Sequence, residues 1–207
     1  MRSWRAVVAA ICMASASALW SDDGQATARR MTYRLDPERT VVAFTVEKGL
    51  LPALSGTAGH AHGVLSVDPD GRDMNLRVTV GLDGLKTRDR LATILLRGPG
   101  LLDTRHFPEV RFVSDRMKMI GGTVRVDGEL SLHGVTRPVV LSGGLPHLPP
   151  PGRPVVVELS GEIDRRDFGI GGFRSLAGRK VELAIHGWLS PEGSEPAPSA
   201  PVIGAAP

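Results

Sequence analysis

Through long stretches of this chain, apolar side chains recur at every second position. Met74, Leu76, Val78, Val80 and Leu82 alternate with Asn75, Arg77, Thr79, Gly81 and Asp83. Val124, Val126, Gly128, Leu130 and Leu132 alternate with Thr123, Arg125, Asp127, Glu129 and Ser131. Val155, Val157, Leu159, Gly161 and Ile163, then Val181, Leu183, Ile185, Gly187 and Leu189, repeat the pattern. A period of two places each apolar set on one face of a strand, so these segments are half-buried antiparallel strands. Shorter strands are expected at Tyr33–Asp36, Thr40–Glu47, Gly63–Val67, Val110–Met119 and Arg137–Ser142. Turn residues separate them: Asp36-Pro37, Asp68-Pro69-Asp70-Gly71, Gly121-Gly122 and Pro149-Pro150-Pro151-Gly152.

One segment departs from the period. In Thr87–Arg97, Leu91, Ile94 and Leu95 fall at helical spacing, with Thr87 as the expected cap and Gly98-Pro99 as the stop. About eight strands, each with one apolar face, must close on themselves or stack as two sheets. An eight-stranded antiparallel barrel of the lipocalin type, with one short inserted helix, removes every exposed edge and can hold one small ligand. Only 4% of residues are aromatic, so aliphatic side chains must fill or line the interior.

The ends differ from the middle. Arg2 and Arg5 precede an apolar run from Ala6 to Leu19, as in an export signal and too short to span a bilayer. Residues 1–18 are the expected signal peptide, cut after Ala16 or Ala18; an uncut anchor is the alternative. Residues 19–30 are a flexible lead-in, 31–190 the folded domain, and 191–207 a disordered tail rich in Pro and Ala. Cys12, the only cysteine, leaves with the signal, so the mature domain is expected to have no disulfide and no thiolate metal site. Export without cysteine fits the bacterial periplasm. The formal charge of +3 falls to +1 without Arg2 and Arg5, and no basic stripe or aromatic-interleaved patch points to nucleic acid.

The candidate polar sites are few. His60 and His62, at i and i+2, share one strand face, as two metal ligands would. A third ligand from His106, His133 or Asp68 would have to converge, and their face lies opposite Leu65 and Val67, which favours surface or rim. His133 sits in a Leu-His-Gly turn and either braces the turn or meets a head group. Arg165 and Asp167 either pair structurally or face a head group. His106-Phe107-Pro108 is expected to cover a barrel end with Phe107 as a plug, and Asp103 to accept bonds from loop amides. No Gly-x-Ser-x-Gly elbow, phosphate loop or His-Glu-x-x-His motif is present, so no catalytic residue is assigned and an enzyme is not expected.

The motifs also follow a recognisable order. Tyr33-Arg-Leu-Asp-Pro37 is followed by Phe44-Thr-Val46, then Gly63-Val-Leu-Ser-Val-Asp-Pro69, then the helix after Thr87. Asp103-Thr-Arg-His-Phe-Pro108 leads into Glu-Val-Arg-Phe112. Gly128-Glu-Leu-Ser-Leu-His-Gly134-Val-Thr-Arg-Pro138 and Ile163-Asp-Arg-Arg-Asp-Phe-Gly-Ile170 close the series. This series resembles the YceI-like family of exported bacterial proteins over nearly all of Met31–Leu189. The resemblance implies a lipocalin-like barrel that binds a polyisoprenoid chain, a polyprenyl lipid or an isoprenoid quinone, and no cofactor. Phe44, Leu76, Val78, Val80, Val126, Leu130, Val157, Leu159 and Ile163 are the expected cavity lining, with Gly128, Gly161 and Gly187 leaving space. His60, His62, His133 and Arg165 are the expected rim or head-group contacts. Transient membrane contact and a homodimer are the other partner expectations. Lys48 stands where the family often has histidine, and Gly59-His60-Ala61-His62-Gly63 replaces a usual Gly-x-Phe. Two other readings stay open: a His60/His62 metal-binding protein or metal-assisted hydrolase, and an envelope barrel with a packed core.

Overall fold

The computed structural model describes residues 30–144, 153–172 and 177–192. The expected signal, most of the lead-in, the tail beyond Glu192 and the Pro149–Gly152 turn lie outside the described residues.

Eleven strand segments form one antiparallel sheet. They are β1 (Met31–Leu35), β2 (Val41–Val46), β3 (Leu54–Thr57), β4 (Ala61–Val67), β5 (Met74–Gly81), β6 (Lys86–Thr87), β7 (Glu109–Ile120), β8 (Thr123–Leu132), β9 (Val135–Gly144), β10 (Val155–Asp164) and β11 (Lys180–Pro191). Helix α1 (Arg90–Arg97) lies between β6 and β7, and a 3-10 turn (Arg165–Phe168) follows β10. The ring runs β1-β4-β5-β7-β8-β9-β10-β11 and closes by β1 on β11, giving an eight-stranded barrel. β1 and β2 share one edge of β11: Leu35 pairs with Leu189 and Val46 with Val181. They are two halves of one broken strand, and β3 with β4, and β5 with β6, break at the same level.

Alternation determines which side chains enter the barrel. Tyr33, Leu65, Val67, Val124, Val126 and Leu189 are almost wholly enclosed. The β8–β9 hairpin turns on His133 and Gly134 alone, with φ of 53° and 73°. Positive φ at both central residues is the tight turn whose twist matches the strands it joins. A bulge between Ser114 and Arg116 carries β7 away from β5. There the Leu76 amide donates to Ser114 Oγ at 2.7 Å, which satisfies a buried N–H.

The helix begins two residues later than the sequence predicts. Asp89, not Thr87, is its cap and accepts from the Leu91 amide at 2.7 Å. Thr87 instead donates to the Asp89 carbonyl and pairs with Thr93 Oγ1. A carboxylate is a strong cap and complements the helix dipole, so it prevails over a hydroxyl two residues earlier. Leu96 anchors α1 in a small cluster with Leu82 and Leu85. Arg97 ties the helix end to the carbonyls of Asp83 (2.5 Å) and Leu85 (2.8 Å).

Candidate functional site

The barrel encloses a cavity of about 710 Å³. Phe44, Leu76, Val78, Val80, Leu130, Val157, Leu159 and Ile163 line it, from β2, β5, β8 and β10. Among the described residues, the only ionisable side chains in the lining are Glu47, Asp89 and Arg165; the rest are aliphatic or aromatic, with Met117 and Gly187 among them. All three ionisable residues lie at the end where β2 meets β3, α1 begins and β10 stops. The site is therefore an apolar shaft with a polar collar at one end. At that end the ring is open. β5 pairs with β7 as far as Gly81 and Glu109, but β6 pairs only with β3, so α1 and its flanking loops occupy the space before β7.

Three sequence expectations about the lining are corrected. Val126 is wholly buried in the core, and its cross-strand neighbours Met117 and Leu141 supply the wall at that level. Gly128 makes room for the Val113 carbonyl and for Phe112 rather than for a ligand, since a Cβ there would press on that carbonyl oxygen and stand 2.7 Å from Phe112 Cζ. Gly161 likewise makes room for Leu141, whose Cδ2 lies 2.6 Å from the Cβ position. In both cases a neighbouring side chain takes the space that the missing Cβ leaves. Gly187 does border the cavity.

The histidines lie elsewhere. His60 and His62 are exposed and flank the inward-facing Ala61. The closest carboxylate ion-paired to His60 is Glu38, at 4.0 Å. Among the described residues no group of three or more His, Cys, Asp or Glu side chains could hold a metal ion. His133 packs on Phe107 with ring centroids 4.7 Å apart, and its Nδ1 lies 3.2 Å from the Phe168 carbonyl. That contact joins the β8–β9 turn to the 3-10 turn. Phe107 is not a plug: its ring covers Gly134, where a Cβ would come within 2.7 Å of it, and it does not enter the cavity. The Asp103 carboxylate takes His106 Nδ1 at 2.8 Å, while its backbone carbonyl, not its side chain, accepts the loop amides of His106 and Phe107.

Arg165 is 4% exposed and borders the cavity. Its guanidinium donates to the carbonyls of Ile170 (2.9 Å), Gly172 (2.7 Å) and Gly178 (2.8 Å). The rigid fork of arginine suits several converging carbonyls, so this residue ties Ile170 and Gly172 to Gly178 beside the mouth. The expected partner Asp167 is exposed, and the ion pair at this turn is Asp164 with Arg179, Nε to Oδ2 2.9 Å. The Asp164 carboxyl is held below its usual range, chiefly by the Arg166 amide and further by Arg179.

The sequence reading missed the mouth itself: Glu47, Leu51, Asp89, Leu95, Leu101 and Leu102. Its one legible signal is the pair of leucine runs, Leu50-Leu51 and Leu95-Leu96, in segments too short and irregular to bury both members.

A family model, the YceI-like domain, matches residues 33–188. The chain belongs to the YceI-like family. It is 28% identical over 159 residues to Protein YceI of Salmonella newport, covering 74% of this chain and 83% of that protein. Among solved structures, Burkholderia cenocepacia BcnA superposes with a TM-score of 0.66 at 17% identity, over 75% of this chain and 99% of BcnA. A polyisoprenoid binding domain from Saccharophagus degradans, implicated in plant cell wall breakdown, gives 0.57 at 14% identity, over 76% and 97%. At these identities the structural likeness speaks for the YceI-like barrel fold.

Proposed function

We propose that this barrel binds one amphiphile with a single long apolar chain, of the polyisoprenoid class, and holds its polar end at the collar. The observation that carries this is the cavity: about 710 Å³, apolar along the shaft, with Glu47, Asp89 and Arg165 at one end only. A volume in the ~300–1,000 Å³ range is that of a ligand pocket, not a packing defect. Each buried methylene contributes ~0.8 kcal/mol, so a chain of about twenty carbons gains enough to exceed the ~4–15 kcal/mol cost of association. The polyisoprenoid-binding Saccharophagus neighbour supports the choice of chain.

We further propose that the protein is exported and works in the periplasm, sequestering or carrying its lipid; the charged, apolar N-terminal segment supports that location. The cavity weighs against a solid-core envelope barrel. The outward, unclustered His60 and His62 weigh against a metal-assisted hydrolase.

Native mass spectrometry of gently purified protein tests the reading. One lipid per barrel, released by organic extraction and replaced by an added isoprenoid, is the expected result. A barrel that releases no lipid and accepts none overturns it.

A further inference from the structure

Five of the large exposed hydrophobic residues gather around the mouth. Leu50 (79% exposed) and Leu51 stand at the tip of the loop between β2 and β3; Leu91, Ile94 (58%) and Leu95 form one face of α1. The pairing of β3 with β6 holds these two segments side by side. Leu51 and Leu95 also line the cavity, so the patch is continuous with the shaft. The other exposed large aliphatics among the described residues, Val41, Val113, Ile120, Val140 and Val156, sit singly along strands. A contiguous exposed apolar patch marks an interaction surface, whereas scattered ones do not.

The charge around the patch selects the partner. Lys48, Lys86, Arg88 and Arg90 are exposed, and none enters an ion pair among the described residues. Against them stand Glu47 and Asp89, the latter engaged as the helix cap. Apolar tips flanked by unpaired cations suit a surface of anionic head groups over hydrocarbon. A protein partner would be expected to supply carboxylates opposite those cations but has no need of a patch that opens into the cavity.

We infer that the mouth, through the Leu50–Leu51 loop and the Leu91/Ile94/Leu95 face of α1, docks on an anionic lipid bilayer so that a ligand chain passes between membrane and shaft without crossing water. This rests on the carrier reading for its purpose, though not for its geometry. An apolar chain has to leave a bilayer to enter the barrel, and here the exit from one and the entrance to the other share Leu51 and Leu95.

The test is flotation of the full protein at low salt with vesicles of phosphatidylcholine alone or with about one third phosphatidylglycerol. Each basic residue near an anionic surface adds roughly fivefold, so two in excess give roughly a 20- to 30-fold preference for the anionic vesicles, lost at high salt. The double variant L50S/I94S changes two exposed residues outside the cavity lining and is expected to lose tenfold or more. I120S, at the opposite end of the barrel, is expected to change nothing. In parallel, an isoprenoid alcohol delivered from ethanol measures cavity filling without a membrane; wild type and L50S/I94S should fill equally. Filling without flotation, or flotation that L50S/I94S leaves intact, overturns the docking surface and spares the carrier reading. Flotation that L50S/I94S abolishes, with no filling by any isoprenoid, upholds the surface and overturns the carrier reading.

Discussion

Replacing Val78 by Phe separates a cavity from a packed core by the sign of one number. Val78 lies in β5, paired with Gly63 and Phe112, and borders the cavity. A phenyl ring there grows into about 710 Å³ of enclosed space, and β strands favour aromatic residues. The substitution adds four carbons to the buried apolar surface, at most about 3 kcal/mol at ~0.8 per carbon. For a domain of this size that corresponds to a Tm rise of up to roughly 6–12 °C. In a filled core the same change overpacks and costs about 1–3 kcal/mol. The ring also removes room for four ligand carbons, so isoprenoid affinity should fall by roughly a hundredfold. Thermal unfolding of the delipidated protein, with displacement of a fluorescent isoprenoid, reads both effects. V78F more stable when empty and weaker in binding is the expected pair of results. A delipidated V78F that melts below wild type refutes the reasoning, because the space would then not be free to fill.

Three further outcomes follow from the mouth and its supports. Arg165→Met keeps the stem but strands the carbonyls of Ile170, Gly172 and Gly178; at ~1.5–3 kcal/mol per charged bond and incomplete additivity, urea unfolding should show a loss of about 3–5 kcal/mol. A loss under 1 kcal/mol would mean that the loop holds without the fork. Gly134→Ala places a Cβ at φ +73° and 2.7 Å from the Phe107 ring, so a loss of about 2 kcal/mol or more is expected in the same assay, and a neutral result would contradict the turn geometry. Asp164 has a folded pKa below its unfolded value. Its contribution is therefore present above the unfolded carboxyl pKa of about 3.9 and lost as pH falls through the folded value. Asp164→Asn should be less stable than wild type at neutral pH, with the gap closing only below about pH 4. A gap independent of pH would leave the charge without a role.

The strands of the barrel were legible because an interior face demands strict alternation: β8, β10 and β11 each carry five apolar or glycine positions in register, and β5 carries four. What escaped was set by distance rather than period. β3 and β6 are short segments, four and two residues long, paired to one another across the break in the sheet, and no alternation can be read in so few positions. Val126 follows the same alternation as Val124 and Leu130, which both line the cavity, yet it does not, because Met117 and Leu141 on the neighbouring strands supply the wall at its level. Gly128 and Gly161 carried an ambiguity that composition cannot resolve: an absent side chain leaves space for a ligand or for a neighbour, and here Phe112 and Leu141 take it. Arg165 was singled out by its motif, but its partners are backbone carbonyls, which any residue supplies and no pattern displays.

The mouth exists because three successive strands break at one level, and glycine permits the break. β1 gives way to β2 at Asp36–Thr40, β3 to β4 at Ala58–His60, and β5 to β6 at Leu82–Leu85. At that level the Gly59 amide donates to the Gly81 carbonyl at 2.9 Å, and the Gly81 amide to the His60 carbonyl at 3.0 Å. A Cβ on Gly84 would stand 2.7 Å from the Gly59 Cα, and one on Gly59 would stand 2.5 Å from the Gly81 oxygen. The two backbones can cross so closely only without side chains. Past the crossing, β6 stays with β3 instead of continuing beside β7, so the β5–β7 pairing stops at Gly81 and Glu109, and α1 spans the gap beyond it. A barrel closed by hydrogen bonds at both ends would have no such gap for a long apolar chain to pass. The histidine-bearing Gly59–Gly63 stretch, which looks in the sequence like a ligand site, is on this account the hinge of the opening: its glycines permit the crossing, Ala61 faces the core, and His60 and His62 face out.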